Sequence, residues 1–118
     1  MSDFTIVALD DAERTGGWHL VRRSLGLTAF GVNVVRIAPG DSIPEHDETG
    51  RDQEEIFLTL EGSPSIVIDG EAHALPRWSF ARLDPRATRT VRNDGAAEAV
   101  VLIASAPRDS GYEPMEWA

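Results

Sequence analysis

Three observations predict an all-β protein, a sandwich or barrel of short strands. Runs rich in Val, Ile, Phe and Thr recur along the chain, roughly eight to ten of them. Turn signals such as Pro39-Gly40, Asp69-Gly70 and Asp84-Pro85 separate these runs at intervals of about 8–12 residues. Almost no stretch repeats its apolar residues with the period of an amphipathic helix.

Taken in order, FTIVAL (4–9) reads as a short strand ended by Asp10-Asp11. DAER (11–14) reads as one helical turn, broken by Thr15-Gly16-Gly17. WHLVRRSL (18–25) reads as a further strand that stops at Gly26, and TAFGVNVVRIA (28–38) as one that stops at Pro39-Gly40. A long polar loop then leads into IFLTL (56–60). SIVI (65–68) and EAHAL (71–75) flank Asp69-Gly70, a dipeptide suited to a two-residue type I′ hairpin turn. WSFARL (78–83) follows, ended by Asp84-Pro85. TRTVR (88–92) leads into Asn93-Asp94-Gly95, read as a second hairpin turn, and AEAVVLIASA (97–106) is the last strong strand. The tail 107–118 carries two prolines and a glycine, and is expected to lie over the body as a loop. IFLTL and VVLIA are apolar on both faces, which calls for two packed sheets or a subunit interface.

At 118 residues the chain is expected to form one domain, 1–118, with a single core. A hydrophobic share of 42% beside 26% charged residues fits a folded soluble protein and argues against disorder. The formal charge of −9 repels phosphate backbones and anionic membranes, so neither nucleic acid nor a membrane is an expected partner. With no cysteine there is no disulfide framework and no thiolate chemistry. No basic region followed by a long apolar stretch opens the sequence, and no apolar run approaches the ~20 residues of a membrane helix. A cytoplasmic location is the expectation.

The chemistry gathers between Gly40 and Gly62. Side chains of a strand alternate between its faces. Glu55, Phe57 and Thr59 therefore share one face, and Glu54, Ile56, Leu58 and Leu60 the other. His46 and Glu48 are two apart and, if extended, project together. One imidazole and two carboxylates can converge in this way inside a barrel.

The spacing Gly40-x5-His46 followed by Glu55-x6-Gly62 resembles the first motif of the cupin superfamily. Asp84-Pro85 through Asn93 is similar to the second. The resemblance covers nearly the whole chain and implies a jelly-roll β-barrel, or double-stranded β-helix. It also implies a homodimer in which residues 1–27 pack across subunits, a role open to FTIVAL and WHLVRRSL. Cupin metal sites use two His and a Glu from the first motif and one His from the second. Here His46 and Glu55 match, but Glu48 stands at the second histidine, Arg89 at the third, and Arg77 where the second motif opens with glycine.

Two readings of the site stay open. His46, Glu48 and Glu55 form a one-nitrogen, two-carboxylate set suited to Mn²⁺, Fe²⁺ or Zn²⁺. Alternatively, Arg89 replaces the ion and compensates a buried carboxylate, or reaches the mouth and grips a ligand carboxylate. The function placed first is a small-molecule-binding cupin without established catalysis. Its ligand would be a small organic acid, and its pocket lined by His46, Glu48, Glu55, Phe57 and Arg89, with Tyr112 as a lid contact from the tail. The alternative is a metal-dependent oxygenase or isomerase of such an acid. His19 and His73 have no acidic partner at ligand spacing and are expected at the core edge or the surface. Glu45, Asp47 and Asp52 are expected in solvent. Trp18, Trp78 and Trp117 are expected to supply core or interface area.

Overall fold

Nine strands form in the computed structural model of the chain, which describes residues 3–118; residues 1–2 of the expected domain and N-terminal element lie outside this range. They are β1 (Arg14–Thr15), β2 (Trp18–His19), β3 (Gly31–Ile37), β4 (Gln53–Glu61) and β5 (Ser65–Ile68). β6 (Glu71–Ala74), β7 (Phe80–Leu83), β8 (Arg89–Arg92) and β9 (Ala99–Pro107) follow. One short helix, α1 (Val21–Leu25), interrupts them. All pairings are antiparallel, in a six-stranded sheet of order β1-β2-β3-β9-β4-β7 and a three-stranded sheet of order β6-β5-β8. Among the described residues no helix is long and apolar enough to cross a membrane.

The core is the inner face of both sheets. Val35 and Ile37 of β3, Phe57 of β4, Ile66 of β5, Leu83 of β7, Val91 of β8 and Val101 of β9 form one buried cluster. Strand parity sorts them: along β4, Glu55, Phe57 and Thr59 are buried while Glu54 and Ile56 are exposed. A hairpin joins β5 and β6 at Asp69-Gly70, whose φ values of 48° and 84° are both positive, as a type I′ turn requires.

Several expected elements differ. FTIVAL forms no strand: residues 4–8 have no regular secondary structure, and Leu9–Asp11 is a 3-10 turn. DAER forms no helical turn, and Arg14–Thr15 is instead a short strand paired with β2. WHLVRRSL splits into β2 and α1. Gly26 follows the helix at φ 70°, so its N–H and that of Leu27 close back on Arg23 and Arg22 carbonyls, the pattern that caps a helix with glycine. Asn93-Asp94-Gly95 is not a hairpin turn, because β8 pairs with β5 and β9 with β3 and β4. It carries the chain from one sheet to the other. Asn93 is buried there, its amide donating to the carbonyls of Ile37 and Ala97.

His19 is buried, the core-edge placement of the two expected for it. Its Nε2 accepts from Arg36 Nε at 2.9 Å, so the ring proton sits on Nδ1 and is donated to the Leu9 carbonyl at 3.0 Å. This ties the N-terminal turn to the outer face of β3.

Gly62 turns the chain after β4 at φ 86°, and a Cβ there would lie 2.9 Å from both Ala99 Cα and the Glu98 carbonyl oxygen. Gly62→Ala combines an unfavourable backbone conformation with a clash against backbone. We expect it to lower stability by about 2–3 kcal/mol, measured by urea denaturation.

Candidate metal centre and ligand cavity

Residues 41–46 approach β8 in antiparallel fashion. Asn93 N–H donates to the Asp41 carbonyl at 2.9 Å, and Ile43 N–H to that of Val91 at 3.1 Å. His46 and Arg89 exchange both backbone hydrogen bonds, at 3.0 and 2.8 Å. Pro44 has no N–H to give, so the pairing stays a pair of isolated bridges and not a strand. Glu48 N–H then bonds the Pro85 carbonyl at 2.8 Å. A 3-10 turn, Thr49–Arg51, and Asp52 at φ 49° reverse the chain into β4. Glu55 stands on β4 between Leu83 of β7 and Ser105 of β9.

These paths bring His46, Glu48 and Glu55 together, with one potential ligand atom from each lying within 4.8 Å of the others. Both carboxylates are buried and His46 is partly exposed. His46 Nδ1 faces the Pro44 carbonyl at 3.2 Å and must carry hydrogen to bond it. In the neutral ring Nε2 then keeps its lone pair, and it points at Glu48 Oε1 and Glu55 Oε1, each 3.5 Å away. Two donors bound about 2.1 Å from one ion stand about 3.0–3.4 Å apart. The donor set therefore fits a divalent ion.

Arg89 is fully buried, on the face parity assigns it with Val91. Its Nη2 donates to the Asp84 carbonyl at 2.7 Å, while Nη1 is 3.8 Å from Glu55 Oε1, too far for a hydrogen bond. Nε, Nη1 and Glu55 Oε1 are left without hydrogen-bond partners in the protein. Arg89 thus supports Glu55 through its charge, does not ligate, and does not form part of the cavity wall.

A cavity of about 530 Å³ opens beside His46 and Glu55. Trp18, Phe30 and Ile103 supply apolar wall, Asn33 and Ser105 polar wall. Two expected site residues lie elsewhere. Phe57 is fully buried in the core cluster, because its neighbours from both sheets close over it. Tyr112 is 76% exposed. Arg108 holds the start of the tail to Asp52, and the chain passes onto the opposite sheet face, where Tyr112 borders a groove with Ile56 and Ala104. Sequence reasoning missed Arg22 and Arg51, two guanidinium groups that line the main cavity. Glu45, Asp47 and Asp52 are exposed, as are His73, Trp78 and Trp117.

Burial raises the Glu55 pKa above its ordinary 4.5, and the Glu48 charge pushes the same way, against His46 and Arg89. In ion-free protein the protonated carboxyl is then the form that folding favours. Its contribution to stability is full below about pH 4.5 and is lost as pH rises through the raised value. Carbon-13 NMR of the Glu55 carboxyl should show a titration above 4.5 that Glu48→Gln moves down and Arg89→Met moves further up.

The family described as "Cupin domain" matches residues 33–105, which run from within β3 through most of β9 and include His46, Glu48 and Glu55. No curated protein matches the chain. Among solved structures, a cupin protein from Bacteroides fragilis superposes with a TM-score of 0.82 at 22% identity, over 99% of this chain and 94% of that one. A sugar phosphate isomerase from a cupin superfamily, from Silicibacter pomeroyi, gives 0.73 at 22% identity, over 86% and 75%. A predicted oxalate decarboxylase from Thermotoga maritima gives 0.60 at 17% identity, over 65% and 65%. At these identities the structures speak for the fold alone. With the family matched over well more than half its length, and the same fold in these neighbours, the chain belongs to the cupins.

Proposed function

We propose that this cupin binds a divalent ion through His46, Glu48 and Glu55 and a small organic acid in the adjoining cavity. One observation carries the reading: Glu55 Oε1 is buried, has no hydrogen-bond donor, and faces an imidazole nitrogen at 3.5 Å. An unpartnered buried carboxylate oxygen is costly, and a cation shared with Nε2 and Glu48 removes the cost. One nitrogen and two oxygens suit Mn²⁺, Fe²⁺ or Zn²⁺. When bound, such an ion supplies Lewis-acid polarisation of a ligand oxygen.

The chain's own residues supply the rest. The Pro44 carbonyl fixes the His46 tautomer, as the outer partner of a ligating histidine does. Arg89 favours the ionised form of Glu55 without competing for the ion. Trp18 and Phe30 offer apolar surface to the body of the ligand, and the cavity arginines favour an anion. Two structural neighbours are named for small, oxygen-rich anions, oxalate and a sugar phosphate, which supports a ligand of that kind. A catalytic version of the site, an isomerase or oxygenase of the acid, is favoured by a cavity large enough to hold a whole small substrate beside Glu55.

The fold in this reading is one domain whose two sheets close as a jelly-roll barrel, supported by the bridges that join residues 42 and 46 to β8. It assembles as a homodimer. Phe4 and Ile6 are 73% and 86% exposed on a segment outside both sheets, and a second copy offers the apolar groove of Ile56 and Ala104 to receive them.

Protein purified without an affinity tag should carry about one divalent ion per chain by elemental analysis, and Glu55→Gln should carry none. Adding the ion at about 100 times its Kd should stabilise chelated wild type by about 2.7 kcal/mol, and the variant not at all. Metal-free wild type that no added Mn²⁺, Fe²⁺ or Zn²⁺ stabilises would refute the site. Light scattering should find a dimer that Ile6→Asp converts to monomer.

A further inference from the structure

Arg51 occupies a position that the ion and the acid together explain. Its Nε and Nη2 reach the two oxygens of Glu48 at 3.3 and 3.4 Å. The Oε1 that it holds is the same atom that faces His46 Nε2 at 3.5 Å. Glu48 is buried, whereas the Arg51 side chain is 71% exposed and borders the cavity. Arg22, whose Nη1 donates to the Leu27 carbonyl at 3.2 Å, lines the same cavity. Two arginines thus line a cavity in a protein whose formal charge is −9.

We infer that Arg51 is a switching residue which pairs with Glu48 when the ion is absent and with a ligand carboxylate when the ion is present, so that ion and acid strengthen each other's binding. The inference rests on the ion site proposed above. A cation and a guanidinium compete for one carboxylate oxygen, since both draw on the same lone pairs and repel each other. Binding of the ion therefore weakens the Arg51–Glu48 pair. The long, exposed side chain is then free to swing into the cavity at little cost, because a pair this exposed is worth little. There it joins Arg22 in holding a carboxylate, which a guanidinium takes by two parallel hydrogen bonds. The pair of oppositely charged guests also offsets its own field, as neither does alone. Reciprocity follows from linkage: whatever factor the acid contributes to ion affinity, the ion returns to the acid.

The expected factor is about 5- to 10-fold, at the lower end of couplings between sites because the pair that breaks is partly exposed. The probes are MnCl2 and sodium benzoate, a monocarboxylate that associates weakly with Mn²⁺ in water. Calorimetric titrations of Mn²⁺ into chelator-stripped protein, with and without saturating benzoate, should differ by that factor. Titrations of benzoate with and without Mn²⁺ should differ by the same factor, followed in parallel by fluorescence of Trp18 in the cavity wall once the exposed Trp78 and Trp117 are replaced by Phe. Arg51→Gln should bind Mn²⁺ alone more tightly than wild type, because Glu48 no longer has a competitor, and should lose the benzoate dependence. A residue that only braces the loop would instead weaken Mn²⁺ binding when replaced. Rescue by Arg51→Lys should be partial, since an ammonium keeps the charge without the fork.

Mn²⁺ binding that is indifferent to benzoate, or Arg51→Gln that binds Mn²⁺ no more tightly than wild type, overturns the inference and leaves the ion site standing. Failure of Mn²⁺ to bind either protein overturns the ion site and the inference with it. Inorganic phosphate in place of benzoate serves as a control: a larger enhancement with phosphate than with any monocarboxylate overturns the carboxylate assignment.

Discussion

The reciprocal backbone hydrogen bonds between His46 and Arg89 are the constraint on which the rest of the site depends. They fasten a proline-interrupted loop to β8, an inner strand of the chemistry though an edge strand of its sheet. Both side chains are thereby referred to one backbone register. A slip of one residue would turn His46 away from the carboxylates and Arg89 out of the core. Flanking bonds from Ile43 and Asn93, and the Thr90 hydroxyl donating to the Ile43 carbonyl at 2.6 Å, resist such a slip. The site is therefore positioned by main chain, and its side chains need only extend.

Electrostatics then sets what the site can hold. Glu48 and Glu55 are buried close to one imidazole, with one guanidinium behind Glu55 and another on Glu48. Arg89 is near enough to act by charge and too far to close a hydrogen bond. A tight pair would have satisfied both groups and shut the site; the longer separation leaves Glu55 Oε1 available. Substituting arginine for a histidine thus need not abolish ion binding. It takes one neutral nitrogen out of the ligand set and adds a positive charge to the layer behind Glu55.

Much of the strand order was legible, since β3, β4, β5, β7 and β9 fall in short apolar runs with local turn chemistry. Parity placed Glu55, Phe57 and Thr59 on one face and Arg89 with Val91, because alternation needs no knowledge of partners. What failed depended on partners. Asn93-Asp94-Gly95 has hairpin composition, yet β9 is claimed by β3 and β4. Phe57 shares a face with Glu55, but depth along the strand decides whether that face meets the cavity or the core. Tyr112 follows a tail whose direction is set by the distant Arg108–Asp52 pair. Gly26 after LVRRSL was a helix-end signal that the Val and Leu content outweighed. Arg51 and Arg22 carry no local mark at all, because an arginine in a polar turn or on a short helix looks the same whether it faces solvent or a cavity.

The link from His19 to Leu9 and Arg36 has a consequence of its own. The imidazole serves as acceptor on one side and donor on the other, an arrangement open only to its uncharged form. Asp10 and Glu98, both on the Arg36 guanidinium, hold that donor in place against the ring. The strap that carries Phe4 and Ile6 thus hangs from a single buried ring that must both give and take a hydrogen bond, so no other side chain of its size could fasten it in the same way.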